Sequence, residues 1–247
     1  MRQILIITLI AISTQLLAQN PIPEGTILPV RLNSSLRSDK AREGQRIEGQ
    51  IMQDVPLPDG GKIRERTKVL GHIVSVKART TGQTGEITLR FDRLDFNHQN
   101  VHISTHLRAM ASRMAVEDAQ VPTTGPDRGT PWTWATRNLI GGEVAYGEGP
   151  VARGTEIVGQ ATPGGVLVPV KSNPAAGCPG EVPGTAQAQA LWIFSSDACG
   201  LYDLPKLTLA HRGRTTPLGQ ITLIAEEGNV KVPGGSGLLL RVNASAQ

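Results

Sequence analysis

The stretch Phe194-Ser-Ser-Asp-Ala-Cys-Gly200 sets two hydroxyls, a carboxylate and a thiol side by side, with His211 a short way downstream. Ser196, Asp197 and His211 are the side chains from which a hydrolase or a glycan-acting site would be assembled. A nucleophilic serine needs a base held at hydrogen-bond range, usually presented from a Gly-x-Ser-x-Gly elbow, and this stretch contains no such elbow. Its plainer reading is structural. Leu191-Trp-Ile-Phe194 is expected as a buried strand, Ser195 to Asp197 as its turn, and Cys199 as the anchor of a bridge to Cys178.

The other reactive residue types point the same way. Cys178 and Cys199 are the only two cysteines. In an oxidising compartment they are expected as a disulfide closing a loop of about 20 residues, which stabilises by roughly 3 kcal/mol on the chain-entropy model. His98, His102 and His106 recur at a spacing that would stack metal ligands along a helix. Their segment alternates as a strand, however, so the Cα atoms of His102 and His106 lie roughly 13 Å apart, too far for one ion. Surface histidines are expected, and no metal or cofactor. Trp132 and Trp134 alternate on one face and are a possible binding platform, weighed against a core role in a chain with 3% aromatic residues.

These residues must be positioned by sheet. The 247 residues are 39% apolar, with 28 Gly and 17 Pro, which favours short strands and many turns over helices. The formal charge is +4, but cations are interspersed with acids, so a mixed-sign surface is expected rather than a nucleic-acid patch. At the N-terminus, Arg2, the apolar run Ile4 to Ile12 and the Leu16-Leu17-Ala18 edge read as a secretory signal over residues 1 to about 18. No later stretch is apolar enough for a spanning helix, and three Trp, two Tyr and three Phe cannot furnish the two aromatic girdles of an outer-membrane barrel.

From Thr26 to Leu107 the pattern is β. Thr26 to Leu32 is a strand whose Pro29 suggests an edge position, and Gln45 to Val55 is a half-buried strand whose Gly49 marks a bulge. Strands over Lys68 to Val76, Glu86 to Leu94 and Val101 to Leu107 follow, then a brief helix within Met110 to Asp118 and a linker over 111–131. Beyond it, strands are expected near 155–161, 165–170, 190–195, 206–211, 220–225 and 237–242. Three stretches recur. Ile22 to Ser35 aligns without a gap to Val232 to Ser245, Ile63 to Ile73 matches Val151 to Ala161, and Arg79 to Leu89 matches Arg214 to Leu223. The expected architecture is therefore all-β, with two small barrel or sandwich modules at 21–110 and 132–245. The second is read as a circularly permuted relative of the first, carrying the disulfide-closed insertion.

One family carries part of this wording. Gly25-Thr-Ile27 followed by Val30 and Leu32, then Ser38-Asp39, the strand Ile47 to Val55, Thr67-Lys-Val-Leu-Gly71 and the Leu89 to Ile103 hairpin resemble the C-terminal β-barrel domain of the conjugation TrbI-like family. Where that family usually reads Ile-Pro-x-Gly, this chain has Ile63-Arg-Glu-Arg66. The resemblance covers residues 25–105 and implies a barrel in an envelope-spanning secretion scaffold. The remainder looks like uncharacterised exported bacterial proteins. The sequence thus leads to an expectation of an exported, periplasmic or envelope-associated binding or scaffold protein without enzymatic activity, whose partners are envelope proteins or cell-wall components. The alternative is a hydrolase or glycan-acting protein built on Ser196, Asp197 and His211.

Overall fold

The computed structural model describes residues 22–97, 99–123, 135–171, 187–210 and 217–244. The expected signal segment, His98, Trp132, Trp134, Cys178 and His211 lie outside them. Along the chain come β1 (Ile27–Leu32), β2 (Leu36–Arg37), β3 (Arg46–Ile51), β4 (Val55–Pro56), β5 (Lys62–Ile63), β6 (Lys68–Lys77) and β7 (Glu86–Phe96). Next are β8 (Gln99–His102), β9 (Thr105–Ala111), α1 (Arg113–Gln120), β10 (Thr136–Asn138), β11 (Val144–Tyr146), β12 (Pro150–Arg153), β13 (Glu156–Thr162) and β14 (Gly165–Pro169). The last are β15 (Ala188–Ala190), β16 (Gly200–Tyr202), β17 (Leu207–Ala210), β18 (Ile221–Ala225), β19 (Lys231–Val232) and β20 (Gly237–Val242).

The protein is all-β, and its main sheet curls into a nearly closed barrel in the order β16-β9-β20-β1-β3-β6-β7-β18-β17, with β8 paired to β7. Strands from both ends of the chain alternate in it. The expected division into consecutive modules at 21–110 and 132–245 is corrected accordingly. Residues 200–242 complete the barrel begun by residues 27–111, and a separate six-stranded meander, β10 to β15, is inserted between β9 with its following helix and β16. The linker expected over 111–131 holds α1, which begins at Arg113 because Ser112 caps it, its hydroxyl accepting from Ala115 N–H. Met110 and Ala111 finish β9 instead.

The registers reveal why the terminal segments share wording. β1 and β20 pair antiparallel with Pro29 opposite Leu239, its own counterpart in the repeat. β7 and β18 do the same with Thr88 opposite Thr222, whose hydroxyls lie 3.0 Å apart. The turns obey the same relation. Leu32 N–H donates to Ser236 O at 2.9 Å and Val242 N–H to Thr26 O at 2.9 Å, while Gly235 N–H meets Leu32 O as Gly25 N–H meets Val242 O. It extends to the neighbours. Asn33 N–H donates to Glu48 O at 3.0 Å and Asn243 N–H to Ser104 O at 2.8 Å, and Val30 faces Ile51 as Leu240 faces Leu107. The strands β1, β3 and β7 are thus matched by β20, β9 and β18, but where β6 bridges β3 and β7, β9 is followed by β16 and β18 by β17. The two copies of the first repeat, and those of the third, pair with each other inside one barrel. Those of the second do not: Val151 to Ala161 forms β12 and β13 of the inserted sheet, whereas Ile63 to Ile73 runs into β6 of the barrel.

Three local expectations change for physical reasons. Pro29 lies in an interior strand, because its missing N–H would point toward β3 beyond that strand's last residue, where only Met52 N–H reaches back to Pro29 O at 2.9 Å. Gly49 shows no register shift. A Cβ there would sit inside contact with Val30 Cγ1 and 3.0 Å from Arg31 O, so the glycine permits close approach of β3 to β1. Leu191 to Phe194 is buried but turns, with Phe194 N–H on Leu191 O and Trp192 at a φ of 54°, rather than extending.

Two apolar clusters result. Leu28, Val30, Ile51, Phe91 and Leu240 fill the barrel, while Ile27, Ala109 and Leu239 on its outer face pack against Val151, Val166, Trp192 and Phe194. β1, β9 and β20 are buried on both faces, which explains the unbroken run Leu238-Leu239-Leu240. Gln53, 1% exposed, joins the layers. Its Oε1 accepts from Trp192 N–H at 2.7 Å and Val166 N–H at 3.3 Å, and its Nε2 donates to Val166 O at 2.9 Å and Thr162 Oγ1 at 3.0 Å. One side-chain amide stands in for a strand along β14. Gln53→Ala is expected to lower stability in urea by about 3 kcal/mol, since the buried N–H groups of Val166 and Trp192 lose their acceptor; a change within about 0.5 kcal/mol would show that the layers do not depend on this amide.

Candidate functional site

Ser196 and Asp197 are neighbours that do different work. Ser196 is 2% exposed. Its Oγ donates to Glu143 Oε1 at 2.6 Å and accepts from Arg153 Nη2 at 2.7 Å, its N–H donates to Glu143 Oε2 at 2.9 Å, and its carbonyl accepts from Arg108 Nη2 at 3.1 Å. Arg153 Nη2 also donates to Glu143 Oε1. Asp197 turns outward to Lys171, 3.7 Å away. The Ser196 hydroxyl, out of solvent, is held between the Glu143 carboxylate and the Arg153 guanidinium, and this arrangement fixes the turn it belongs to.

The network is a polar staple across the layers. Arg108 projects from β9 of the barrel, is 0% exposed, and also reaches Lys171 O at 3.0 Å. Glu143 enters from the turn between β10 and β11 with a side chain wholly out of solvent, where the partly exposed Arg153 of β12 supplies the counter-charge. Arg137 of β10 is 3% exposed, and burial pushes its guanidinium down from its ordinary value. Arg108, Glu143 and Arg153 escape a motif search, and their signal is faint: Arg108 interrupts the apolar run of β9.

The remaining expected residues disperse. His102 is exposed on β8, while His106 sits on β9 at 1% exposure with its Nδ1 2.6 Å from Asn243 Oδ1. The expectation of surface histidines therefore fails for His106, because β9 is covered on both faces. Among the described residues no group of three or more His, Cys, Asp and Glu is placed to hold a metal ion, and no helix is long and apolar enough to cross a membrane. Cys199 is 3% exposed and is not a free thiol.

A recess does exist at one end of the barrel. A groove of about 970 Å³ opens where the 79–84 turn, the start of α1, the 203–206 turn and the 226–233 segment meet. Met114, Leu204, Pro205, Leu207 and Pro233 give it apolar walls. Its floor is fixed by Asn229, whose Oδ1 accepts from Arg79 N–H at 2.8 Å and Ser38 Oγ at 3.0 Å. Ser112 Oγ donates to Asp203, tying the start of α1 to the 203–206 turn. Lys206 pairs with Glu227 at 3.6 Å, whereas Arg79 and Lys231 at the rim form no ion pair among the described residues. Such a lining can hold an apolar body with a negative group beside it. Comparison with family models, curated proteins and solved structures returns no match.

Glu143→Ala leaves the Arg153 guanidinium without its anion and the Ser196 N–H and hydroxyl without their acceptor, and is expected to cost about 3 kcal/mol or more in denaturant unfolding. Ser196→Ala, which keeps the ion pair, is expected to cost about 1 kcal/mol. Equal, negligible effects would refute the staple.

Proposed function

We propose that this chain is a non-enzymatic binding or scaffold protein of the cell envelope, exported after removal of residues 1 to about 18, with the barrel-end groove as its contact surface. The observation that carries the reading is the contrast between two places: the groove is open and apolar, whereas Ser196, the serine nominated for catalysis, is held in a buried staple. The TrbI-like wording over 25–105 supports a barrel of the kind used in secretion scaffolds, and envelope proteins or cell-wall components are the partners proposed. The hydrolase alternative finds no support from Ser196, and a glycan platform on Trp132 and Trp134 concerns residues outside those described.

We also infer a Cys178–Cys199 disulfide, since Cys199 is not free and the chain has one other cysteine. Peptide mapping without reductant is expected to recover the two cysteines as one linked species; two separate alkylated thiols in the exported protein would contradict it.

The functional test is a photo-crosslinking residue at Met114, 64% exposed at the groove, introduced into the full chain in exporting cells. A discrete adduct with an envelope protein or cell-wall component is expected, absent when the same residue is placed at exposed Gln160 on β13. Identical adducts at both positions, or none at Met114, would contradict the assignment.

A further inference from the structure

The barrel is nearly closed, and the place where it fails to close is specific. Its sheet path ends on β16 at one side and β17 at the other. These strands are joined by the 203–206 turn and run in opposite directions, β16 parallel to β9 and β17 antiparallel to β18, yet no ladder among the described residues pairs them. Between them lies a slot of about 430 Å³ walled by Leu201, Leu204, Leu207 and Leu209, all half-buried against the barrel core. It runs into the 970 Å³ groove, with which it shares Asp203, Leu204, Pro205 and Leu207.

The backbone on both sides of the slot faces it with open groups. Glu226 N–H donates to Lys206 O at 2.9 Å, so residues 206, 208 and 210 of the antiparallel pair address β18 while Leu207 and Leu209 point away. Leu207 N–H is taken by Leu204 O at 3.1 Å. The Leu207 carbonyl and both backbone groups of Leu209 have no partner among the described residues. Opposite them, Ser112 N–H donates to Tyr202 O at 3.0 Å, which turns Gly200 and Tyr202 toward β9 and leaves Leu201 on the open side. An edge with unmet donors and acceptors above an apolar floor is a template for another strand. At the far rim of the adjoining groove, Arg79 and Lys231 are exposed cations without an ion pair among the described residues.

We propose that this seam binds an extended partner peptide that adds a strand to β17, with apolar side chains at alternate positions on the leucine floor and an acidic side chain reaching Arg79 and Lys231. The edge groups read the peptide backbone, the leucines read its alternation, and the two cations read its charge and direction. This deepens the binding-module reading and rests on it.

The test is selection of a random peptide library displayed on phage against the intact exported protein. Enriched peptides are expected to alternate apolar residues and to carry Asp or Glu toward one end. Leu209→Pro removes both a donor facing the seam and a leucine of its floor while leaving the β18 hydrogen bonds in place, and is expected to weaken a selected peptide about tenfold or more. N-methylation of alternate peptide positions should do the same, and Arg79→Glu with Lys231→Glu should turn the charge preference from acidic to basic. Circular dichroism of both variants confirms that they fold. No enrichment, peptides indifferent to Leu209→Pro, or self-association through this edge in sedimentation would each overturn the proposal. If Met114 crosslinks persist in those cases, the seam assignment alone falls; if they vanish too, the binding reading falls with it.

Discussion

The pairing of β1 with β20 is the constraint on which the barrel rests. It brings together segments from opposite ends of the chain, and each strand is also laddered on its other side, β1 to β3 and β20 to β9. Without β20, β1 would expose Val30 and Leu28 at a raw edge, and β9 would lose the neighbour that keeps Arg108 and His106 dry. Because this contact spans the sequence, barrel closure must await the last strand, and folding is expected to be slow relative to a protein of local contacts. Matching turns at Thr26 and Ser236 compensate by fixing the register twice.

An insertion inside such a barrel creates a second problem, which is how a six-stranded meander stays attached to it. Apolar packing of Ile27, Leu239 and Trp192 supplies the bulk of the contact but no direction. Direction comes from polar groups, Gln53 gripping β14 and Trp192 while Arg108 grips the turn at Ser196. Buried polar groups of this kind specify one arrangement because each alternative leaves a donor or a charge unmet. Ser196 is held by that attachment. Among the described residues, a groove opens to solvent at the end of the barrel where β16 and β17 diverge.

Much of this was legible in the residues. Alternation at Ile87, Leu89 and Phe91 and the turn signals around Asn97 located the strands to within a few positions, and the shared wording of Ile22 to Ser35 and Val232 to Ser245 announced that two segments play equivalent parts. What wording cannot show is whether equivalent strands lie in two barrels or face each other in one, since either satisfies the same local pattern; only the opposition of Pro29 to Leu239 and of Thr88 to Thr222 decides it. The resemblance of Ile63 to Ile73 with Val151 to Ala161 shows the reverse hazard, as threonine, an apolar pair and glycine recur wherever a turn feeds a strand. The staple was hidden because Glu143, Arg153 and Arg108 are distant in sequence, and the seam because an open edge is a property of pairing, not of any residue type.

Native-state hydrogen exchange on the whole protein measures directly whether both ends build one barrel. Amides at the centres of β1, β7, β18 and β20, with Val30, Thr88, Thr222 and Leu240 as reporters, are predicted to exchange with a single shared opening free energy equal to that of global unfolding. Protection of residues 27–96 that persists while residues 221–242 open at a distinctly lower free energy would contradict a single barrel and restore two independent halves.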